Sequence, residues 1–285
     1  DVQWEENETF TVDLSYDRNN GSAPGAASAA GTIVNDDEGY WIEFENASVN
    51  EGAGPMRFRI VREGDQSGSS SVNWTLAGVT ATTVATSGNP SDFSGATLTG
   101  TVHSDDFSYV SPGANNQQRS ASGWIEVPLA NDTRYEANET FTVTLSNPSE
   151  GSSIKTASAT ATIVNDDMGY WISGPVAGVV EGDENVDPSG MTTLVYTLTR
   201  SSNGDALANS SSVNWAISSA GGDATAVQAD DFVEGLRGVA TFAPGETTTT
   251  VTIHVKGDGV REDSATMRMT LTGSATDTIV QPTAD

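Results

Sequence analysis

The chain has 285 residues, a net charge of −27 and no cysteine. The missing cysteines exclude disulfides, thiolate zinc sites and cysteine nucleophiles, and the acidic excess opposes binding to nucleic acid or anionic membranes while it attracts cations. With 29 glycines and few long aliphatic runs, the composition predicts an all-β protein of about two domains, built from short strands and turns.

The first predicted strand lies in WEENETFTVDLS at residues 4–15, which returns as YEANETFTVTLS at residues 135–146 and weakly as REDSATMRMTLT at residues 261–272. Apolar and polar residues alternate within it, as in a strand with one buried face. A second stretch, TIVNDDEGYW at residues 32–41, returns as TIVNDDMGYW at residues 162–171. Repeats of this length divide a chain into structural units.

Two further motifs occur only twice each and therefore set the number of complete units. They are SSSVNW and VNEG, and the second copy of VNEG reads VVEG. SSSVNW lies at residues 69–74 and 210–215, and VNEG lies at residues 49–52 and 179–182. We therefore predict the C-terminal half of a repeat at residues 1–38, a complete repeat at 39–167, and a repeat with a degenerate end at 168–285. Units of roughly 120 to 130 residues with about seven alternating runs predict tandem immunoglobulin-like antiparallel β-sandwiches. Trp74 and Trp215 lie mid-strand and are expected in the sandwich cores.

The order of the motifs resembles the Calx-beta domain. The complete unit has Glu-Gly near its first strand, Asp-Phe after the third, a Pro-Gly turn, then NDTRYEANETFTVTL and finally TIVNDD. This family occurs in the regulatory domains of sodium/calcium exchangers, in integrin subunit β4 and in long arrays of bacterial surface proteins. The resemblance covers essentially the whole chain, and it implies β-sandwiches that bind Ca²⁺ through acidic loops at one pole.

Carboxylates in those loops suit calcium, which takes six to eight oxygen ligands. The resemblance implies as ligands of the complete unit Glu51, Asp92, Asp106, Asp132, Glu136, Asp166 and Asp167; of the first, partial unit Asp1, Glu5, Asp36 and Asp37; and of the last unit Glu181, Asp231, Asp258 and Glu262.

Asp92 and Asp106 compete for one position, because both precede a phenylalanine. The spacing from the preceding tryptophan favours Asp92 and makes residues 94–108 an insertion, on which Asp106 can still be a ligand. In the last unit Gln281-Pro282-Thr283 replaces the closing Asn-Asp-Asp, so its site is expected to be weaker or empty.

Other interpretations of these acidic residues stay open. Asn-Asp-Asp also forms sharp turns without any metal, and Glu8 and Glu139 are expected to be solvated acids rather than ligands. The Tyr-Trp pairs at residues 40–41 and 170–171 are expected to open the next strand or to pack at the junction.

The expected function is that of a calcium-binding rigid spacer in a large extracellular or cell-surface protein, such as a bacterial adhesin. Alternatives are a calcium-sensing regulatory module, a binding module that uses the insertion, and a subunit of an extracellular filament joined by strand exchange. Expected partners are calcium ions and neighbouring repeats of the same chain or adjacent subunits, without nucleic acid or membrane insertion. An enzyme is not expected, because the carboxylates recur with the repeat and no catalytic motif is present.

The apolar strand face of residues 1–38 raises a separate question. A two-stranded hairpin is at best marginally stable alone, so we expect other strands to complete it. The preceding residues of the same chain could supply them, and so could an adjacent subunit.

Overall fold

A computed structural model describes residues 3–15, 26–64, 66–84, 91–112, 117–175, 191–202, 205–220, 227–257, 266–273 and 278–284. Within these ranges the regular structure consists of β-strands and three short 3₁₀ helices, which confirms the predicted all-β class. No helix there is both long and apolar enough to cross a membrane.

The strands follow the alternating runs of the sequence. In chain order they are β1 (Glu8–Ser15), β2 (Ala26–Ile33), β3 (Glu38–Phe44), β4 (Ser48–Asn50), β5 (Met56–Glu63), β6 (Ser71–Gly78), β7 (Thr99–His103), β8 (Phe107–Pro112), β9 (Gln118–Ser122), β10 (Ile125–Val127), β11 (Glu139–Ser146), β12 (Ser152–Ile154), β13 (Ser158–Val164), β14 (Gly169–Ser173), β15 (Met191–Ser201), β16 (Ser211–Ser219), β17 (Arg237–Phe242), β18 (Thr248–Lys256), β19 (Met267–Thr272), β20 (Thr278–Gln281) and β21 (Thr283–Ala284). The 3₁₀ helices span Ser104–Asp106, Asp205–Ala208 and Ala229–Asp231.

The first of two compact units contains a sandwich of two sheets. One sheet has the strand order β12-β3-β5-β9-β8, with β10 also paired to β5, and the other has the order β4-β13-β11-β6-β7. Their inner faces enclose one apolar core. Within it Phe58 packs edge-to-face on Trp74, with ring centroids 5.2 Å apart. Trp74 is thus a core residue, as its mid-strand position predicts.

The second unit contains a sandwich of the same kind, with sheets ordered β18-β15-β14-β20 and β17-β16-β19-β21. Trp215 is buried in its core, as predicted, together with Tyr196 and Phe242. The Tyr-Trp pairs open β3 and β14: Tyr40 and Tyr170 are fully buried. This outcome matches the first of the two roles expected for those pairs.

The extra strand of the first sandwich is β8, which corrects the predicted insertion at residues 94–108. Gly100 in β7 lies against the Trp74 indole, where an added Cβ would come within 2.6 Å of Nε1. Gly238 in β17 lies against the Trp215 ring in the same way. The two strands are therefore equivalents, and β8 is the strand without a counterpart among the described residues of the second unit. The prediction erred because spacing along the chain does not show which strand pairs with which.

The hairpin of β1 and β2 also belongs to the first unit, where it forms a separate two-stranded sheet. Its strands pair in antiparallel register from Glu8 opposite Ile33 to Ser15 opposite Ala26.

Candidate metal site

Glu51, Asp166 and Asp167 form the first of the two carboxylate groups found among the described residues, at strand ends of the first sandwich. Each residue offers an oxygen within 4.8 Å of the others. Glu51 is buried and the two aspartates are half-buried. Glu51 directly follows β4, and the aspartates follow its sheet neighbour β13. Strand pairing thus brings Glu51 next to a pair of aspartates that lie far from it in sequence.

The second group comprises Asp92, Glu136 and Glu139, all half-buried, with their offered oxygens again within 4.8 Å of one another. Asp92 is held by its neighbour Phe93, which is buried and packs edge-to-face on Phe141 at 5.4 Å. A side-chain oxygen of Asp92 also accepts the backbone N–H of Thr82. Glu139 begins β11, and Glu136 lies three residues before it. The buried aromatic therefore fixes the position of the acid beside it.

The donor set of both groups fits calcium. Oxygens that bind one Ca²⁺ at about 2.4 Å can lie no more than about 4.8 Å apart, and the offered oxygens of each group lie within 4.8 Å of one another. Hard cations prefer carboxylate oxygens, and three carboxylates can offer up to about six of them. Desolvation by partial burial raises the pKa of Asp166, although a hydrogen bond from its own backbone opposes this. A bound dication would offset the cost of holding such carboxylates ionised and close together.

Asn165, the first residue of the second Asn-Asp-Asp, connects the loops that carry the acids. Its Oδ1 accepts the backbone N–H of Glu136 at 2.9 Å, and its Nδ2 donates to the carbonyl oxygen of Asp167 at 3.0 Å. Its own N–H donates to Oδ1 of Asn138 at 3.2 Å. The turn interpretation and the metal interpretation of this motif are therefore compatible: the asparagine builds the turn, and the aspartates lie in the first carboxylate group.

Asn35 makes the same three bonds in the first Asn-Asp-Asp. Its Oδ1 accepts the N–H of Glu5 at 3.0 Å, and its Nδ2 donates to the carbonyl oxygen of Asp37 at 2.9 Å. Its N–H donates to Oδ1 of Asn7 at 2.9 Å. The repeated sequence thus folds into the same local structure twice.

Comparison with models of protein families assigns the chain to a family. The model of the Calx-beta domain matches residues 35–98, 114–167 and 192–284, which is well over half of the chain. The chain belongs to the Calx-beta family. This confirms the resemblance drawn from the motifs. A search of curated proteins finds no match.

Several solved Calx structures resemble this Calx-beta chain. CBD12 from CALX1.2 is 22% identical, covers 81% of this chain and 79% of its own, and has a TM-score of 0.36. The apo-form Calx CBD1 domain is 28% identical over 45% of this chain and 98% of its own, with a TM-score of 0.33. The calcium binding domain CBD12 of CALX1.1 is 20% identical over 81% of this chain and 79% of its own, with a TM-score of 0.37.

Other ligands implied by the Calx-beta resemblance cap turns instead of joining either carboxylate group. Oδ1 of Asp132 accepts the N–H of Arg134 at 2.8 Å. Oδ2 of Asp106 accepts the N–H of His103 at 2.8 Å, and Oδ2 of Asp231 accepts the N–H of Gln228, just before its 3₁₀ helix, at 2.7 Å. Of the two competing positions, Asp92 is the one that lies in a group. That Asp106, Asp132 and Asp231 bind calcium stays a prediction.

Residues 1–38 and the last unit offer less. Glu5, Asp36 and Asp37 lie in none of the carboxylate groups found in the described part of the chain. Asp1, Glu181, Asp258 and Glu262 lie outside the described residues.

Glu139 is the group member that the sequence did not single out. Its position beside the strand indicated a solvated acid, yet it is half-buried next to Asp92 and Glu136. The recurrence of Asn-Glu-Thr-Phe at residues 7–10 and 138–141 was a signal for it. That signal could equally reflect strand packing, so only the fold separates the two explanations.

Proposed function

We propose that this Calx-beta chain binds Ca²⁺ in its middle repeat and serves as a calcium-stiffened spacer of a large extracellular or cell-surface protein, such as a bacterial adhesin-like protein. The observation that carries the proposal is the group of Glu51, Asp166 and Asp167, whose oxygens lie close enough to share one ion. Membership of the Calx-beta family supports the same chemistry. Calcium acts here as a structural ion and not as a catalyst.

Stiffening follows from the place of the aspartates in the chain. Only Met168 separates Asp167 from Gly169, where β14 begins. An ion held by Asp166 and Asp167 would restrict the backbone just before the next repeat, because each bound carboxylate loses its freedom to rotate. Neighbouring repeats are therefore the expected partners of the site, beside the ion itself.

Composition supports an extracellular setting. The chain carries a net charge of −27 with only two lysines, Lys155 and Lys256, and is rich in Gly, Ser, Thr and Asn. Crowded carboxylates repel one another, so such a protein gains most where calcium is permanently abundant. Extracellular calcium modules bind at about 10⁻⁴ to 10⁻³ M, whereas sensors bind at about 10⁻⁷ to 10⁻⁵ M.

Calorimetric titration of the calcium-free chain tests the spacer proposal. We expect a dissociation constant of about 10⁻⁴ to 10⁻³ M, because a permanently occupied structural site outside the cell needs no tighter binding. A dissociation constant near 10⁻⁶ M would contradict the spacer and favour a calcium-sensing module. No calcium-dependent heat in either range would contradict calcium binding itself.

A ranking of two glutamates follows from the unequal repeats. Glu51→Gln is expected to remove more bound calcium than Glu181→Gln, because Glu51 lies beside Asp166 and Asp167, whereas the last repeat has Gln281-Pro282-Thr283 in the place of such aspartates. Titration of both variants under one condition measures the difference. Equal losses would show that the closing aspartates do not set the strength of a site.

A further inference from the structure

The β1–β2 hairpin reproduces two core strands of the complete repeat. Glu8 lies opposite Ile33 in the hairpin, as Glu139 lies opposite Ile163 between β11 and β13. The following pairs keep the same register in both sheets. The hairpin is therefore the equivalent of β11 and β13 in sequence and in pairing.

The hairpin differs from those strands in burial. Its three apolar side chains on β1 are exposed, and their equivalents on β11 are buried. The exposed fractions are 49%, 50% and 67% for Phe10, Val12 and Leu14, against 0%, 0% and 3% for Phe141, Val143 and Leu145. An exposed apolar strand face of this kind marks a surface that another element covers.

The complete repeat shows which elements cover such a face. There β6 pairs with β11, from Gly78 opposite Phe141 to Asn73 opposite Ser146. Strands β3 and β5 of the facing sheet contribute Phe44 and Phe58 to the core that Phe141 enters. The corresponding edge of β1 has no paired strand among the described residues. All of the covering strands come from the N-terminal half of the repeat.

The base of the hairpin is anchored as in a complete repeat. The N–H of Trp4 donates to Oγ of Ser153 at 2.9 Å, and Nζ of Lys155 lies 3.5 Å from the centroid of the Trp4 ring. In the second unit, which includes residues 131–138, the N–H of Tyr135 donates to Oγ1 of Thr278 at 2.9 Å. Ser153 and Thr278 lie in the equivalent strands β12 and β20, which pair in parallel with β3 and β14. The residue that leads into β1 is thus held by the same kind of hydrogen bond as the residue that leads into β11.

We propose that the open face of the hairpin is the docking site for the N-terminal half of a further Calx-beta repeat, joined in cis ahead of Trp4. A strand equivalent to β6 would add to the free edge of β1, and the facing sheet would cover Phe10, Val12 and Leu14. The cis arrangement follows from the complete repeat, where the chain reaches Tyr135, the counterpart of Trp4, directly from β10. The inference does not rest on calcium binding.

A graft tests this inference. A copy of residues 39–134 is joined ahead of Trp4 in the full chain, so that the copied Arg134 precedes Trp4 as Arg134 precedes Tyr135. Amide hydrogen exchange is then followed by mass spectrometry without calcium. We expect the β1 amides to exchange on the order of a hundredfold more slowly than in the ungrafted chain and to approach the protection of β11, because buried and paired strands open rarely.

Val12→Asp supplies the matched control. In the ungrafted chain it should leave the thermal unfolding profile unchanged, because Val12 is exposed, whereas in the grafted chain it should cancel the new protection. Val143→Asp, at the equivalent buried position, should destabilise the middle repeat in both chains.

Two outcomes would overturn the inference. The first is a graft that leaves exchange in β1 unchanged while the β11 amides remain protected. The second is an ungrafted chain that is already a dimer with a protected hairpin, and that Val12→Asp converts to a monomer. The latter result would assign the face to a second copy of the chain.

Discussion

Replacement of both Asp166 and Asp167 by alanine is expected to abolish most of the calcium-dependent rise in the stability of the middle repeat. The substitutions remove two of the three carboxylates in the first group, so that only that of Glu51 remains in it. At free calcium a hundredfold above the dissociation constant, ligand linkage contributes about 2.7 kcal/mol to the free energy of unfolding. Thermal unfolding in calcium and in chelator measures this contribution.

The control for this experiment is Asp36→Ala combined with Asp37→Ala. These residues have the same sequence context, but they belong to none of the carboxylate groups found in the described residues. The control should therefore keep the calcium-dependent shift of the middle repeat. A double variant at 166 and 167 that retained the full shift would contradict the assignment of the site.

Asn165→Ala is expected to lower the free energy of unfolding by about 3 kcal/mol, since each buried polar group left without its partner costs about 1 to 3 kcal/mol. Asn165 is 2% exposed. Its side chain binds the N–H of Glu136 and the carbonyl oxygen of Asp167, one in each carboxylate group. Denaturant unfolding without calcium measures the loss separately from metal binding.

Asn35→Ala is the matched variant, because Asn35 makes the same side-chain bonds to Glu5 and Asp37. Asn35 is only half-buried, so water can replace the lost partners and we expect a loss of about 1 kcal/mol or less. Equal losses in the two variants would show that burial of the turn does not set its contribution.

The strands were predictable from sequence because alternation reports a buried face. Thr-Phe-Thr-Val-Thr-Leu places Phe141, Val143 and Leu145 on one side of β11, and all three are buried. Alternation alone gave no signal that the same pattern in β1 would remain exposed. Burial depends on which strands lie beside and opposite, and that information belongs to the fold.

Buried charges were the feature that sequence could not supply. Arg62 and Arg200 lie at equivalent positions, opposite Tyr40 and Tyr170, and both are buried. Arg62 is neutralised by Glu38, with Nη1 3.2 Å from Oε1. Arg200 instead donates to backbone carbonyl oxygens and to one serine hydroxyl. The same position is thus satisfied by a carboxylate in one sandwich and by loop backbone in the other.

The candidate site was predictable in part. The motif order selected Glu51, Asp92, Glu136, Asp166 and Asp167, and the fold brings all five into the two groups. The motif order could not separate these five residues from Asp132, which lies in the same acidic loop as Glu136. Whether a loop carboxylate faces its neighbours or caps its own turn is decided by backbone hydrogen bonds that leave no periodic signal in the sequence.

Equilibrium dialysis against labelled calcium is the most direct test of calcium binding at the first carboxylate group. The unmodified chain and the variant with Asp166→Ala and Asp167→Ala are dialysed at millimolar free calcium, and bound ions are counted per chain. We expect bound calcium in the unmodified chain and a clear loss of bound ions in the variant. The same number of bound ions in both chains, or none in either, would contradict it.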